Sequence, residues 1–246
     1  MPYNKILVFT ATYNEKDNIK NLIYQIKKNL RNCDILVIDD NSPDGTGKVL
    51  DELKEHEDIN LSVIHRTGKL GLGSAHLYAM RYSIENNYEV LITMDADFSH
   101  NPDDIPRLLE KLNNADFVIG SRYADGGKSD YSGYRQFISK TGNWLAKKTL
   151  GFTISEVTTS FRCFRTSMLK KLDLSQIKSD GYSFFLECVF YINYYGFILL
   201  EIPIHFKDRE QGISKISKLQ IVYSLVTLLK LILIRLFKIK ENKISL

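Results

Sequence analysis

The stretch LITMDADFSHNP (Leu91–Pro102) joins a strand-like apolar run to two aspartates one residue apart. Carboxylates are costly at the end of a buried strand unless something positive answers them. The same pattern recurs along the chain. Short Val/Ile/Leu-rich runs at Ile6–Thr10, Ile35–Asp39, Leu61–His65, Val90–Met94 and Phe117–Gly120 read as strands. Amphipathic segments at Asp17–Leu30, Gly45–His56, Gly71–Asn86 and Pro102–Asn113 read as the helices between them. Continuous apolar strands alternating with helices predict an α/β fold whose mostly parallel sheet is buried on both faces. In such folds ligands gather at the carboxyl ends of the strands. That edge carries the unusual polar clusters: TYNE after the first strand, DDNSPDG after the second, DAD after the fourth and GSRY after the fifth. Further on, DGGKSD (Asp125–Asp130) reads as a mobile loop, Gln136–Leu150 and Tyr182–Tyr195 as helices, and Ile198–Phe206 as a strand.

Bulk properties narrow the class. A chain of 246 residues suits one sizeable α/β domain and a small appendage, and 44% hydrophobic with 25% charged residues is ordinary globular composition. A formal charge of +4 fits anionic ligands or a lipid surface, without the dense basic runs of a nucleic-acid binder. Three scattered cysteines (Cys33, Cys163, Cys188) lack metal-ligand spacing and read as reduced, packed thiols. The start MPYNKILVFT runs straight into a strand with no signal peptide, so a cytoplasmic location is expected.

Asp95 and Asp97, at i and i+2, project to one side if the extended geometry persists. Like charges so placed repel unless a cation lies between them. Mg²⁺ suits the position, since it favours one or two carboxylates plus substrate phosphate oxygens. A plainer reading makes Asp97 a cap for the helix entered through SHNPDD. A phosphatase with an aspartyl nucleophile is a third, disfavoured by the late position of the pair. Asp39 and Asp40 end the second strand, where an acid of a nucleotide fold accepts from ribose or a base edge; a well-capped loop is the alternative. Tyr13 offers a stacking surface and Glu15 a ribose acceptor, or both simply open a helix. Lys69 precedes a glycine-rich helix start suited to phosphate oxygens. Cations then accumulate in the second half: Arg122, Arg135, Arg162, Arg209 and Lys215. Beside an acidic metal site they would grip a second anion.

Taken in order, TYNE, VIDDNSPDGT, GKLGLGSA, MDADFSHNP, GSRY, ISKTGN, SFR and EIPIHFKDREQGISK resemble the dolichol-phosphate (polyprenyl-monophosphate) mannose synthases, inverting glycosyltransferases of family 2. The resemblance covers roughly Ile6 to Lys215. It implies a Rossmann-like, GT-A-type nucleotide-sugar transferase that moves mannose from GDP-mannose to dolichyl or polyprenyl phosphate with Mg²⁺ or Mn²⁺. Tyr13, Glu15, Asp39, Asp40, Lys69 and the Asp95-Ala96-Asp97 segment would bind the nucleotide sugar, with Asp95 and Asp97 serving the metal. Arg122, Arg135, Arg209 and Lys215 would hold phosphates of donor or lipid, with Asp97 and Arg122 central to catalysis. Three positions depart from the family's pattern: Ala11 replaces a proline, Ser99 a glutamine and Glu156 an aspartate. A UDP-glucose:polyprenyl-phosphate glucosyltransferase and a non-catalytic lipid-phosphate scaffold are the alternatives. The resemblance leaves room for accessory membrane subunits, on the cytoplasmic face of a membrane.

The tail KLQIVYSLVTLLKLILIRLFKIK (Lys218–Lys240) has its own character, dividing the chain into a catalytic domain over 1–215 and a helix over 216–246. On a helical wheel Gln220, Ser224, Thr227, Arg235 and Lys238 fall within about 80° of one another and the rest is nearly all apolar. An amphipathic helix lying on anionic lipid is the first expectation; a helix packed on the catalytic domain or a partner is the second. The uncharged run is shorter than the roughly 20 residues of a membrane span.

Overall fold

The computed structural model describes residues 3–55, 59–207 and 218–244. In chain order the elements are β1 (Ile6–Thr12), α1 (Lys16–Asn29), β2 (Cys33–Asp39), α2 (Thr46–Glu55), β3 (Leu61–His65), α3 (Leu72–Glu85), β4 (Val90–Thr93), α4 (Ile105–Leu112), β5 (Phe117–Ser121), β6 (Lys128–Ser129), α5 (Gly133–Leu150), β7 (Arg162–Arg165), α6 (Thr166–Leu169), α7 (Tyr182–Tyr194), β8 (Leu199–Pro203), β9 (His205–Phe206) and α8 (Lys218–Ile244). A seven-stranded sheet runs β3-β2-β1-β4-β7-β5-β8, with β6 and β9 forming a separate ribbon. Every pairing in the large sheet is parallel except those of β7, which is antiparallel to both β4 and β5.

Alternation along each strand divides the core into two layers. Ile6, Val8, Ile35, Val37, Val90 and Ile92 face α1, α2 and α4, meeting Ile19, Leu22, Ile23, Leu50, Leu108 and Leu112. Leu7, Phe9, Leu36, Ile38, Leu91, Phe117 and Ile119 face α3, α5 and α7, meeting Ala79, Ala146, Phe184 and Phe185. Because both faces are covered, the central strands carry almost no polar residues, which is why their runs stand out in the sequence. All three cysteines are buried and unpaired, and burial pushes the thiols of Cys33 and Cys188 up to about 11. They are packing groups.

The second half departs from expectation in three places. Arg162, expected among the anion-gripping cations, lies on β7, a fully inserted central strand, and is 0% exposed. Its guanidinium donates from Nε to the Thr159 carbonyl (2.7 Å) and from Nη2 to the carbonyls of Val157 (2.7 Å) and Phe185 (3.2 Å). Burial lowers its pKa to about 10, and it braces the core behind the site instead of meeting an anion. The expected strand Ile198–Phe206 breaks at Ile204: β8 extends the large sheet and β9 pairs with β6. That ribbon anchors the expected mobile loop, with Lys128 N–H donating to the Ile204 carbonyl (2.9 Å) and Asp130 N–H to that of Phe206 (3.0 Å). Gly127 is required there, since a Cβ would lie 2.7 Å from the Arg122 carbonyl oxygen.

Helix α8 lies against α7 and the end of α5, with Leu231 fully buried and Leu228 nearly so. Its polar stripe points inward. Lys230 Nζ donates to Glu187 Oε1 (3.3 Å), Arg235 Nη1 to the Thr149 carbonyl (2.6 Å), and Ser224 meets Ser183 (3.3 Å). Ile221, Val222, Tyr223, Leu225, Val226, Leu229, Leu233, Leu236 and Phe237 are left facing outward. The Lys238 side chain lies outside the described residues. Gln220–Phe237, 18 residues interrupted by Lys230 and Arg235, is long and apolar enough to cross a membrane by length and composition, and 11% of it is buried by the protein.

Candidate active site

The topology locates a crevice. The chain runs outward from β1 through β2 to β3 and then crosses to β4 on the other side of β1. Strand order therefore reverses between β1 and β4, where open α/β sheets bind ligands. Asp95 and Asp97 follow β4 directly, while Tyr13 and Glu15 follow β1.

A tight turn fixes the acid pair. Phe98 adopts a left-handed φ of 59°, folding Ser99 back so that its N–H (3.1 Å) and hydroxyl (2.6 Å) both donate to Asp97 Oδ1. The Ser160 hydroxyl, arriving just before β7, donates to Asp95 Oδ1 at 2.5 Å. His100 completes the turn at 0% exposure: Nδ1 accepts the Asp95 N–H (3.1 Å), so the ring proton sits on Nε2 and is directed at Thr159 Oγ1 (2.9 Å). Burial, only partly offset by Asp95 and Asp97, lowers the His100 pKa and keeps the ring neutral. Ala96 is buried in the core and gives the site only its backbone. For Asp95, with a side chain 31% exposed, the one ion-pairing neighbour among the described residues is this neutral histidine at 3.8 Å.

Two carboxylates offering oxygen donors fit Mg²⁺ or Mn²⁺, which fill their remaining positions with water and substrate phosphate. No group of three His, Cys, Asp or Glu side chains that could hold a metal ion exists among the described residues.

The β1 and β2 ends are tied together. Asp39 is 2% exposed, and its Oδ1 accepts from Thr12 Oγ1 (2.9 Å) and Ser42 Oγ (2.5 Å), its Oδ2 from the Ser42 N–H (3.1 Å). Ser42 Oγ also accepts the Asn14 N–H (3.0 Å), so Asp39 clamps both loops. Asp40, expected on the nucleotide, is instead buried against Arg66 (3.1 Å), whose guanidinium also reaches the Gly71 carbonyl and Ser74 and sets the start of α3. Glu15 caps α1, its N–H on Thr46 Oγ1 (3.0 Å) and its carboxylate on Asn18 (2.8 Å). Lys69 Nζ lies 4.2 Å over the Tyr13 ring, which is 40% exposed, and the pair forms one wall of the crevice.

The cationic side stands beyond β7, two strand spacings or about 10 Å from β4. After β5, Arg122 Nε (2.8 Å) and Nη2 (2.5 Å) make a bidentate pair with Glu156, and the same carboxylate takes the Arg122 N–H. Burial opposes both charges, but each partner outweighs it, raising the arginine and lowering the acid. The longer Glu156 is thus accommodated as a fully buried partner of Arg122. Nη2 also meets Ser139 (3.3 Å) and Thr158 (3.0 Å), leaving Nη1 without a partner among the described residues. Arg135 stacks 4.5 Å from the Tyr131 ring centroid and keeps Nη2 buried with no hydrogen bond among the described residues. An open pocket of about 610 Å³ adjoins Arg122, bounded also by Lys128, Gln136 and Lys140 and by the Asp130–His205 pair (2.6 Å). Arg209 and Lys215 lie outside the described residues. Sequence reading missed His100, Ser160, Arg66 and Ser139. His100, Ser160 and Ser139 sit inside the motifs MDADFSHNP, SFR and ISKTGN, but their roles become visible only once the chain before β7 and helix α5 bring the two serines to the edge; Arg66, just after β3, carries no motif signal of its own.

Comparison with known proteins follows this geometry. Residues 7–173 match the family described as Glycosyl transferase family 2. Over 218 residues the chain is 39% identical to a polyprenol monophosphomannose synthase of Mycolicibacterium smegmatis, covering 88% of this chain and 82% of that one. It is also 39% identical over 214 residues to an undecaprenyl-phosphate mannosyltransferase of Micrococcus luteus, covering 87% and 88%. Among solved structures, glucosyl-3-phosphoglycerate synthase of Mycobacterium tuberculosis, in complex with Mn²⁺, UDP and glucosyl-3-phosphoglycerate, superposes with a TM-score of 0.66 at 17% identity, over 93% of this chain and 80% of that one. At that identity the likeness is one of fold.

Proposed function

The chain belongs to glycosyl transferase family 2, and on that premise we propose that it transfers mannose from GDP-mannose to a polyprenyl phosphate with inversion, giving polyprenyl-phosphate β-mannose and GDP. One observation carries the reading. A carboxylate pair held at the switch point lies two strand positions from a basic pocket bounded by Arg122, Lys128 and Lys140, in a chain 39% identical to enzymes named for mannosyl transfer to such lipids.

Glycosyl transfer passes through an oxocarbenium-like state while the nucleoside diphosphate departs with growing negative charge. Mg²⁺ or Mn²⁺ held by Asp95 and Asp97 would neutralise that charge as a Lewis acid. Tyr13 offers its exposed face to the base and Lys69 its ammonium to the diphosphate. Opposite, Arg122 with Lys128 and Lys140 around the pocket binds the acceptor phosphate and turns one oxygen toward the sugar. That oxygen is already anionic at neutral pH, so no general base is needed. His100 agrees with this chemistry: both ring nitrogens are engaged in holding the turn.

The test is parallel turnover with labelled GDP-mannose and UDP-glucose on a polyprenyl phosphate, with Mg²⁺ or with chelator. Mannosyl lipid of β configuration, lost on chelation, is expected. Glucosyl product alone, or transfer indifferent to chelator, overturns the proposal.

A further inference from the structure

Glu187 of α7 is 0% exposed and takes no part in the chemistry above. Its Oε2 accepts the N–H groups of Lys178 (2.9 Å) and Ser179 (2.8 Å), and its Oε1 accepts from Lys230 Nζ of α8 (3.3 Å). One carboxylate thus joins α8 to the loop that leads into α7. A buried acid held this way resists disturbance, because losing a donor leaves its charge less compensated away from water. The same loop and the first turn of α7 meet α8 twice more. Ser183 faces Ser224 (3.3 Å), and the Gln220 amide nitrogen lies 3.3 Å from where a Cβ on Gly181 would stand.

On its other side the loop bears on the start of α3. A Cβ on Gly73 would lie 3.0 Å from the Ser179 carbonyl oxygen and 3.2 Å from Asp180 Cα, so glycine is what lets the two backbones approach. Gly71, at a left-handed φ of 94°, lies under the Asp180 carboxylate, which would stand 3.4 Å from a Cβ there. The Gly71 carbonyl accepts from Arg66 Nη1 (3.3 Å) and Ser74 Oγ (2.8 Å). Two residues earlier, Lys69 stands over the Tyr13 ring. Contacts therefore run without a gap from Lys230 through Glu187 and the 178–181 loop to the 71–73 turn and the Lys69–Tyr13 wall.

We propose that Glu187 and Lys230 are positioning residues for the nucleotide-sugar site. The pair holds the 178–181 loop against α3, and so sets Lys69 for the diphosphate according to how α8 is seated. The diphosphate part rests on the GDP-mannose reading; the link from α8 to α3 does not. Asp95, Asp97 and Arg122 stand off this path, so a slack link weakens donor binding and leaves the acid pair and the acceptor pocket as they are.

The full-length protein is compared with Lys230→Met, which opens the link at α8, and with Gly73→Ala, whose methyl wedges the loop off α3. Each should raise KM for GDP-mannose roughly fivefold, the scale of coupling carried by packed networks, with kcat and the polyprenyl-phosphate KM unchanged. Because both act on one path, the double variant should lose about as much as either alone, not about twenty-fivefold. Arg235→Met frees α8 from the Thr149 carbonyl at the end of α5 and should leave the donor KM at its wild-type value. Amide hydrogen exchange is followed without substrate, and in Lys230→Met it should rise over 69–75 as well as 178–183. Faster exchange confined to α8 and 178–183 overturns the proposal. So does a donor KM raised equally by Arg235→Met, which marks general loosening, and so do multiplying effects of the two link variants. Exchange that spreads to 69–75 in a protein that transfers no mannose keeps the link and breaks the enzymatic reading. Mannosyl transfer whose donor KM ignores Lys230→Met does the reverse.

Discussion

The two halves of the crevice handle charge in opposite ways. On the donor side, Asp39, Asp95 and Asp97 are held by hydroxyls and N–H groups of Thr12, Ser42, Ser99 and Ser160. Neutral donors fix a carboxylate's direction without cancelling its charge, which suits a site that must attract a cation. On the acceptor side, charges are matched by charges: Arg122 by Glu156, and Lys230 by the fully buried Glu187, which also takes the N–H groups of Lys178 and Ser179. There the compensated pairs build the wall, and Arg122 Nη1 with Lys128 and Lys140 stands at the pocket among the described residues. The Asp40–Arg66 pair apart, the donor side directs its acids with neutral groups, while the acceptor side turns its charges into architecture.

The sharpest way to break this contrast is Asp97→Ala. If the donor side acts through the negative charge of its carboxylates, kcat should fall about 10²- to 10³-fold, the scale for losing one preorganised electrostatic group. Acceptor binding and the urea midpoint should barely move. A large loss of stability with near-normal turnover would reverse the roles of the two sides. Glu156→Gln tests the other half. It strips a buried guanidinium of its partner, and about 3 kcal/mol of stability should be lost, read as a lower urea midpoint. The sign with pH follows from the depressed pKa of Glu156. The pair contributes in full above the ordinary carboxyl value of about 4.3 and is lost only as pH falls through the lower folded value, so near neutrality the wild type should show no pH dependence from this source.

That asymmetry also decides what the sequence could disclose. The donor half is a run of β-loop-α units, and each places its chemistry directly after an apolar strand, so β1 to β5, their helices and the acid pair were legible from Val/Ile/Leu runs and punctuation. The acceptor half closes on itself through long-range pairings. Nothing local marks RCFR as a central strand, because two arginines in four residues argue against burial until the carbonyls that receive Arg162 are known. Asp40 was misread for the same reason, since its partner Arg66 lies one strand away. The wheel of α8 correctly gathered Gln220, Ser224, Thr227 and Arg235 on one side. It could not say that this stripe faces inward, because a polar face is satisfied by protein as well as by water.

The smallest effect concerns the seam between the halves. His76 on α3 is 2% exposed and packed against Phe9 of β1 and Phe184 and Phe185 of α7, with Nδ1 buried and without a hydrogen bond among the described residues. Burial, and then the charge of Arg162, pushes its pKa down to about 3. In the unfolded chain the same ring titrates near 6.5. Between these values the unfolded state binds a proton that the native state refuses, so stability is full above about pH 6.5 and falls as pH drops, by about 1.4 kcal/mol per unit from this one group. His76→Leu, close in volume and free of the unsatisfied nitrogen, should remove that slope between pH 6 and 5 while leaving the pH 7.5 midpoint close to wild type. Superimposable slopes for the two proteins would mean that water reaches the ring, and that the seam is looser than the packing of donor and acceptor halves around it requires.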